Sequence, residues 1–532
     1  MRGEDDPDGD ATPVALGERL TLASAEAVAR GTAQAAIAKT ARARARAARE
    51  RFDGCVAERR MVYGVTTGFG PLADRMVAAE EIATLQRNLV YHLATGVGAP
   101  LPYAAARAMA LARLNSILQG WSGASEDAID MLTALLNAPL APRVPEKGTV
   151  GASGDLTPLA HMTLALMGQG GFIDAEGRDV PDHAAFAALG RGPLSLEARD
   201  GLALVNGTSA MTGIALLNAG VARRLLDWAE ACTTAVAELL CGRGEAWDRA
   251  FAEARPHPGQ ESTAAALRAR AADSGRIDHG RAAERRLTER APAPRADRAP
   301  QDAYTLRCAP QVLGAARDAL DWHDSVAGRE LNGASDNPIF PERGAPALHG
   351  GNFMGSHVAL ASDALSAAVT TVAGLAERQL ARLTDERLNG GLPAFLHVGP
   401  AGLNSGFMGA QVTATALVAE MRRQASPASV QSLSTNGANQ DVVSMGTVAA
   451  RGAAAQLADA TRVLAILAMA AAQGVDIVSE GAGGPAAAGF SRSTLALRAW
   501  VRARSEALSE DRPLSAEIET VAEAMAVSPP PA

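Results

Sequence analysis

The chain is 532 residues long, with 48% hydrophobic, 20% charged and only 4% aromatic residues, and a formal net charge of −8. That balance supplies a buried core, leaves its packing to alanine, leucine and valine, and favours close-packed helices over a β-sandwich. The negative charge gives no electrostatic basis for nucleic-acid binding, and no stretch reaches the ~18 uninterrupted apolar residues of a membrane span. The four cysteines, Cys55, Cys232, Cys241 and Cys308, have neither CxxC spacing nor the density of a disulfide scaffold. A reducing cytoplasm suits them, and the acidic start MRGEDDPDGD is unlike a signal peptide.

Residues 1–14, rich in charge, proline, glycine and aspartate, read as a disordered acidic tail. From about 20 to 60, Ala, Arg and Glu recur at helical spacing until MVYGVTTGFGPLA brings too much glycine and threonine for a helix to continue. A helical hairpin region is expected from about 78 to 139, followed by the loop GTVGASGDLTPLAH, Gly148 to His161. Segments around 207–242, 310–330, 356–388, 408–424 and 440–475 are long, rich in alanine and leucine and nearly free of proline. They predict long helices in a mainly α bundle, and no period-two alternation runs far enough for a large sheet. The expected organisation is an N-terminal region over 15–200, a central long-helix bundle over 201–475, and a partly helical, partly disordered end over 476–532. One segment breaks the pattern, at about 271–303: RRLTERAPAPRADRAPQDAY packs three Ala-Pro dipeptides among charges. It reads as a mobile loop, a surface linker or a functional lid, and Tyr304 and Arg307 at its end favour the lid.

Ala152-Ser153-Gly154, at the centre of the glycine loop, is neither a nucleophile elbow nor a P-loop, because the glycines stand at the wrong offsets and no G-K-[ST] follows. Alone it would pass for a turn. Its residue types also suit a different chemistry: the Gly154 nitrogen attacks the Ala152 carbonyl, and loss of water there and from Ser153 leaves a methylidene-imidazolone (MIO). Minimal side chains on either side let the backbone fold that sharply.

Eight further blocks accompany this loop. They are YGVTTGFGPLA (Tyr63 to Ala73), NLVYHLATGVG (Asn88 to Gly98), LVNGTSAMTG (Leu204 to Gly213) and QDAYTLRCAPQVLG (Gln301 to Gly314), then SDNPIF (Ser335 to Phe340), HGGNFMG (His349 to Gly355), GLNSGFMGAQ (Gly402 to Gln411) and STNGANQDVVSMG (Ser434 to Gly446). In this order, over roughly residues 15 to 475, they resemble the aromatic amino-acid ammonia-lyase family, the MIO-dependent histidine, phenylalanine and tyrosine ammonia-lyases with their related aminomutases. The resemblance implies a long-helix bundle related to the fumarase and aspartase architecture, and a homotetramer in which several subunits build each site. It implies an MIO formed autocatalytically from Ala152, Ser153 and Gly154, with no external cofactor and no metal. Tyr63 stands at the position of the family's catalytic base, a phenol whose anion needs stabilising donors. Arg307 resembles the residue that holds the substrate carboxylate, a task suited to a bidentate guanidinium. Asn206, Gln311, Asn436 and Gln440 match polar positions around the cofactor, amine and carboxylate, and buried amides satisfying helix ends remain a second role for them. Phe353 resembles the aromatic packed against the MIO ring, while Gly70, Leu156 and Tyr304 would line the substrate pocket.

His92-Leu93 is the most informative pair for the substrate. Tyrosine-active members resemble it with His-Leu, phenylalanine-selective ones with Phe-Leu and histidine-selective ones with Ser-His. The implied reaction is L-tyrosine to trans-p-coumarate and ammonia, with some turnover of L-phenylalanine. An aminomutase forming β-tyrosine would use the same residues, and a histidine or phenylalanine lyase is a further alternative. A catalytically dead helical scaffold would show erosion at Tyr63, Ser153 or Arg307, and all three are intact. The serine loop of the fumarase-type lyases is absent, and the nine histidines show no HExxH or paired Cys/His spacing for a metal.

Overall fold

The structure is a computed structural model that describes residues 12–278, 300–400, 402–485 and 487–532. Most of the tail expected at 1–14 and most of the mobile loop expected at 271–303 lie outside the described residues. The fold begins at Val14–Leu16, a strand that pairs in parallel with Ala35–Ile37. This pairing breaks the helical run expected from about 20 to 60 into Leu22–Arg30 and Lys39–Ala57. Gly31 makes the break: at φ 77° it closes the first helix with its N–H on the carbonyls of Ala27 and Val28, a left-handed cap that glycine adopts without a Cβ penalty.

Two compact units form. The first comprises Met1–Gly220, His323–Asp363 and Pro427–Gly452; the second comprises Val221–Trp322, Ala364–Ser426 and Ala453–Ala532. Three helices of the first unit, Ile82–Leu93, Tyr103–Ile117 and Glu126–Asn137, stand where a helical hairpin was expected. Tyr103–Ile117 is buried on every side from Ala105 to Ile117, which explains why its sequence has no polar stripe. Its Arg107 closes the ends of two other helices. The guanidinium donates to Ala29 O at 3.1 Å, Leu135 O at 3.0 Å and Ala138 O at 2.7 Å, filling carbonyls that the C-termini of Leu22–Arg30 and Glu126–Asn137 would leave unpaired.

The strands are short. Val97–Pro100 pairs antiparallel with Pro145–Lys147, and Ala141–Pro142, Phe172–Ile173 and Asp179–Val180 make a three-stranded patch. Pro145–Lys147 matters most, because the glycine loop leaves directly from its end.

The five long helices read from the alanine- and leucine-rich segments are Ser209–Leu239, Ala309–Leu331, Ser356–Thr384, Met408–Gln424 and Gly446–Ala482. The last starts later than the composition suggests, because Met445 takes a left-handed φ of 57°, and it runs beyond residue 475 to Ala482. Parts of four of these helices, with Met408–Gln424, supply the core of the second unit, where Trp228, Leu313, Val372, Leu380 and Ile466 are packed together. Small alanines between these large side chains let the helices approach closely. Ser356–Thr384 and Gly446–Ala482 are long and apolar enough to cross a membrane, but 56% and 78% of their apolar windows are buried inside the protein. Beyond them stand Arg492–Arg502 and Ser515–Val527.

Candidate active site

The loop that carries Ser153 is held between the strand Pro145–Lys147 and the helix Leu156–Leu166, both in the first unit. Ser153 stands at φ 54°, a left-handed conformation that costs a residue with a Cβ about 1 kcal/mol or more. Neighbouring contacts hold it there. Gly154, at φ 79°, forms a parallel bridge with Gly207, and the N–H of Asp155 donates to the Gly207 carbonyl at 2.7 Å. A Cβ on Gly154 would collide with that carbonyl, so glycine is required for the two loops to meet. The Thr149 hydroxyl donates to Gly154 O at 3.2 Å and accepts from Gly151 N–H at 3.1 Å, tightening the turn from inside.

Two amides reach Ser153 from elsewhere in the chain. Asn206 Nδ2 donates to the Ser153 carbonyl at 3.1 Å and Gln440 Nε2 donates to Ser153 Oγ at 3.3 Å. Asn206 Oδ1 is buried without a partner in the structure, which leaves an acceptor beside the loop. Behind it, Asp155 is fully buried, with Oδ2 accepting from Met211 N–H at 2.8 Å and Oδ1 accepting from the Thr447 hydroxyl. Burial pushes the Asp155 carboxyl up to about 6, overcoming the donors that favour its charged form.

In front of the loop lies a cavity of about 440 Å³. Ala152 and Ser153 form part of its wall, together with Tyr63, Gly70 and Phe353. His92, Leu93 and Leu156 supply another part, and Asn206, Asn436 and Gln440 the polar remainder. Gly154 is buried beneath it. Tyr63 Oη accepts from the Gly70 N–H at 2.9 Å, and its ring meets Phe69 edge-on at 6.1 Å. Gly70, at φ 53°, faces Asn436 so closely that a Cβ would stand 2.8 Å from its Nδ2.

His92 lies in the last turn of Ile82–Leu93, with Nδ1 3.0 Å from the Asn88 carbonyl. A carbonyl can only accept, so Nδ1 is the donor of this pair and Nε2 is left for a ligand. Phe69, Asn337, Asn439 and Asp441 also line the cavity. None of the four stood out in the sequence, although each lies inside or beside one of the glycine- and asparagine-rich blocks.

Tyr304, Arg307 and Gln311 are placed differently: all three belong to the second unit, and none lines the cavity at Ser153. The Arg307 guanidinium sits over the Tyr304 ring at 4.4 Å, and Tyr304 is 69% exposed. Arg307 and Gln311 line a cavity of about 280 Å³ with Arg243 and Phe251. Arg307 Nε and Gln311 Oε1 are buried there without partners in the structure. Among the described residues no three His, Cys, Asp or Glu side chains gather as a metal site.

The small-residue loop of Ser153 thus shares one cavity with a tyrosine, a histidine and amide side chains. Residues 20–503 match the aromatic amino acid lyase family, and the chain belongs to that family. It is 56% identical to a tyrosine ammonia-lyase of Cereibacter sphaeroides over 96% of both chains. It is 42% identical to a histidine ammonia-lyase of Symbiobacterium thermophilum, again over 96% of each. Among solved structures, the tyrosine aminomutase of Streptomyces globisporus superposes with a TM-score of 0.89 at 38% identity, covering 97% of both chains.

Proposed function

We propose that the protein deaminates L-tyrosine without oxidation, giving trans-p-coumarate and ammonia, and accepts L-phenylalanine less well. The observation that carries this reading is the convergence of Tyr63, Ser153 and His92-Leu93 on one cavity of about 440 Å³. Similarity to a tyrosine ammonia-lyase at 56% identity supports it.

The loop suits a methylidene-imidazolone made from Ala152, Ser153 and Gly154. Its backbone is already turned into the left-handed region, its surroundings exclude any added Cβ, and a buried Asn206 oxygen lacks a partner. That group would supply an electrophile able to turn the substrate amine into a better leaving group. Asn206 and Gln440 would hold it by the contacts they make to Ser153. Tyr63 takes the β-proton, its oxygen held by the Gly70 N–H. His92 Nε2 accepts from the para-hydroxyl while Leu93 and Leu156 pack the ring, and Phe353 would pack against the loop-derived group, so phenylalanine leaves an acceptor for water to satisfy. Asn436 adds polar contact at the rim, and Gly70 leaves it room.

Arg307 holds the carboxylate, with Tyr304 and Gln311 beside it. These three come from another subunit of a homotetramer, a reading supported by the unpartnered buried Arg307 Nε and Gln311 Oε1.

A second reading, formation of β-tyrosine by an aminomutase, is favoured by the fold and 38% identity shared with a tyrosine aminomutase. One experiment separates them. Purified protein is incubated with L-tyrosine, L-phenylalanine and L-histidine, the near-ultraviolet band of the conjugated acid is followed, and β-amino acids are assayed by chromatography. The expected result is p-coumarate from tyrosine with little β-tyrosine, and an intact mass two waters below the sequence mass. Dominant β-tyrosine overturns the lyase reading in favour of the mutase, and urocanate formation from histidine alone overturns both.

A further inference from the structure

The loop that grips Ser153 is itself gripped from behind. Asn206, Gly207 and Thr208 connect the helix Asp200–Val205 to Ser209–Leu239. On their front face, Asn206 Nδ2 reaches Ser153 O at 3.1 Å and Gly207 O receives the Asp155 N–H at 2.7 Å. On their back face three side chains hold them. Arg113 donates to the Asn206 carbonyl, Ser335 Oγ accepts from the Thr208 N–H at 3.2 Å, and a Glu330 carboxylate oxygen accepts from the Thr208 hydroxyl. A Cβ on Gly207 would collide with Arg113 and would stand 2.6 Å from Ser335 Oγ, so the connection has no slack on this side.

Glu330 is the distinctive member of the three. It does not line the Ser153 cavity; it lines a second one of about 260 Å³, shared with Ser335, Asn352 and His357. Burial pushes its carboxyl up, while the Thr208 hydroxyl and the His357 ring act the other way. The segment Gly351–Met354 divides between the cavities: Asn352 faces Glu330, and Gly351, Phe353 and Met354 face Ser153. The half-buried carboxylate therefore sits behind the wall of the pocket, joined to its front by Thr208 and one peptide unit on either side of Gly207.

We propose that Glu330 is a positioning residue, which by accepting from Thr208 fixes the Asn206–Thr208 connection and so aims Asn206 and Gly207 at Ser153 and Asp155. It touches no substrate and carries no proton in the reaction. Any catalytic consequence rests on the role of Asn206 in the proposed function, whereas the mechanical link to Asp155 does not.

The test uses the whole chain with four variants, Glu330→Gln, Glu330→Ala, Thr208→Ser and Thr208→Val. Amide hydrogen exchange of the peptides spanning residues 149–158 and 200–212 reads the link directly, and kcat and KM for L-tyrosine read its consequence. The amide oxygen that Glu330→Gln introduces can still accept from the hydroxyl, and Thr208→Ser keeps the donor. Both are expected to stay within about threefold of wild type in exchange and kcat. Glu330→Ala and Thr208→Val are expected to speed exchange at Asp155 about tenfold or more and to lower kcat similarly, with KM little changed. If Glu330→Ala does not fold, Thr208→Val breaks the same hydrogen bond from the other side. Unchanged exchange at Asp155 in Thr208→Val overturns the proposal, as does a Glu330→Gln variant as disturbed as Glu330→Ala. Should wild type leave tyrosine untouched, the functional reading fails, yet the exchange rates still decide the role of Glu330.

Discussion

Ser153 shows how much a single position owes to its surroundings. A serine at φ 54° between alanine and glycine gains no packing energy of its own. It is held by Asn206 and Gln440 and by the Gly154–Gly207 bridge. Asp155, next along, has the opposite character: every side of it is buried, and its carboxyl is pushed up to about 6 from an ordinary 3.8. Its folded-state value lies above the unfolded one, so the folded protein binds more protons between the two. The contribution to stability is fully present below about 3.8 and is lost as pH rises to about 6. Asp155→Asn cannot ionise, and its stability relative to wild type should therefore climb by up to about 3 kcal/mol across that window. Urea unfolding midpoints at pH 4, 5, 6 and 7 read this; parallel curves for the two proteins would show that Asp155 is not buried as an acid.

At the scale of elements, the long helices follow from alanine and leucine composition, and their ends follow from particular backbone signals. Gly31 divides the first helical run, and Met445 delays the last long helix. Arg107 does something composition does not suggest, because it is a buried cation with no carboxylate partner among the described residues, satisfied by carbonyls at two helix ends. Burial lowers its pKa while those carbonyls take up its donors. Replacing it by Met leaves several carbonyls unpaired at once, so Arg107→Met should cost about 3 kcal/mol or more. Thermal unfolding checks this, and a loss below about 0.5 kcal/mol, the scale of an ordinary surface substitution, would mean that water replaces the guanidinium.

For the whole molecule, the question is how Arg307 of the second unit, proposed to bind the carboxylate, comes to serve a pocket lined by the first. The proposed homotetramer answers it by pairing Tyr63 and Ser153 of one subunit with Arg307 of another. Two inactive variants, Tyr63→Phe and Arg307→Ala, should then complement when co-expressed, because some mixed sites contain both intact halves. Activity well above that of either variant alone is the expected result. No recovery in tetramers shown by mass to be mixed would place both residues in one subunit's site.

Sequence alone was enough for the family and the bundle, because block order and helical composition are local properties written along the chain. The glycine loop, Tyr63 and the His92-Leu93 pair were legible for the same reason: each sits in a short, compositionally odd stretch. The helix break at Gly31 was not, since the parallel pairing of Val14 with Ala35 decides it. Asp155 and Glu330 read as ordinary acids in the sequence. Their surroundings, and so their chemistry, arise from contacts with residues up to 292 positions away. Tertiary structure also decided which of the expected site residues share a cavity, gathering Tyr63, His92, Ser153, Asn206, Phe353 and Gln440 in the first unit, while Arg307 belongs to the second. Composition and motif fix what a residue can do; only the packing of distant segments sets what surrounds it, and with it the charge it carries and the partner it meets.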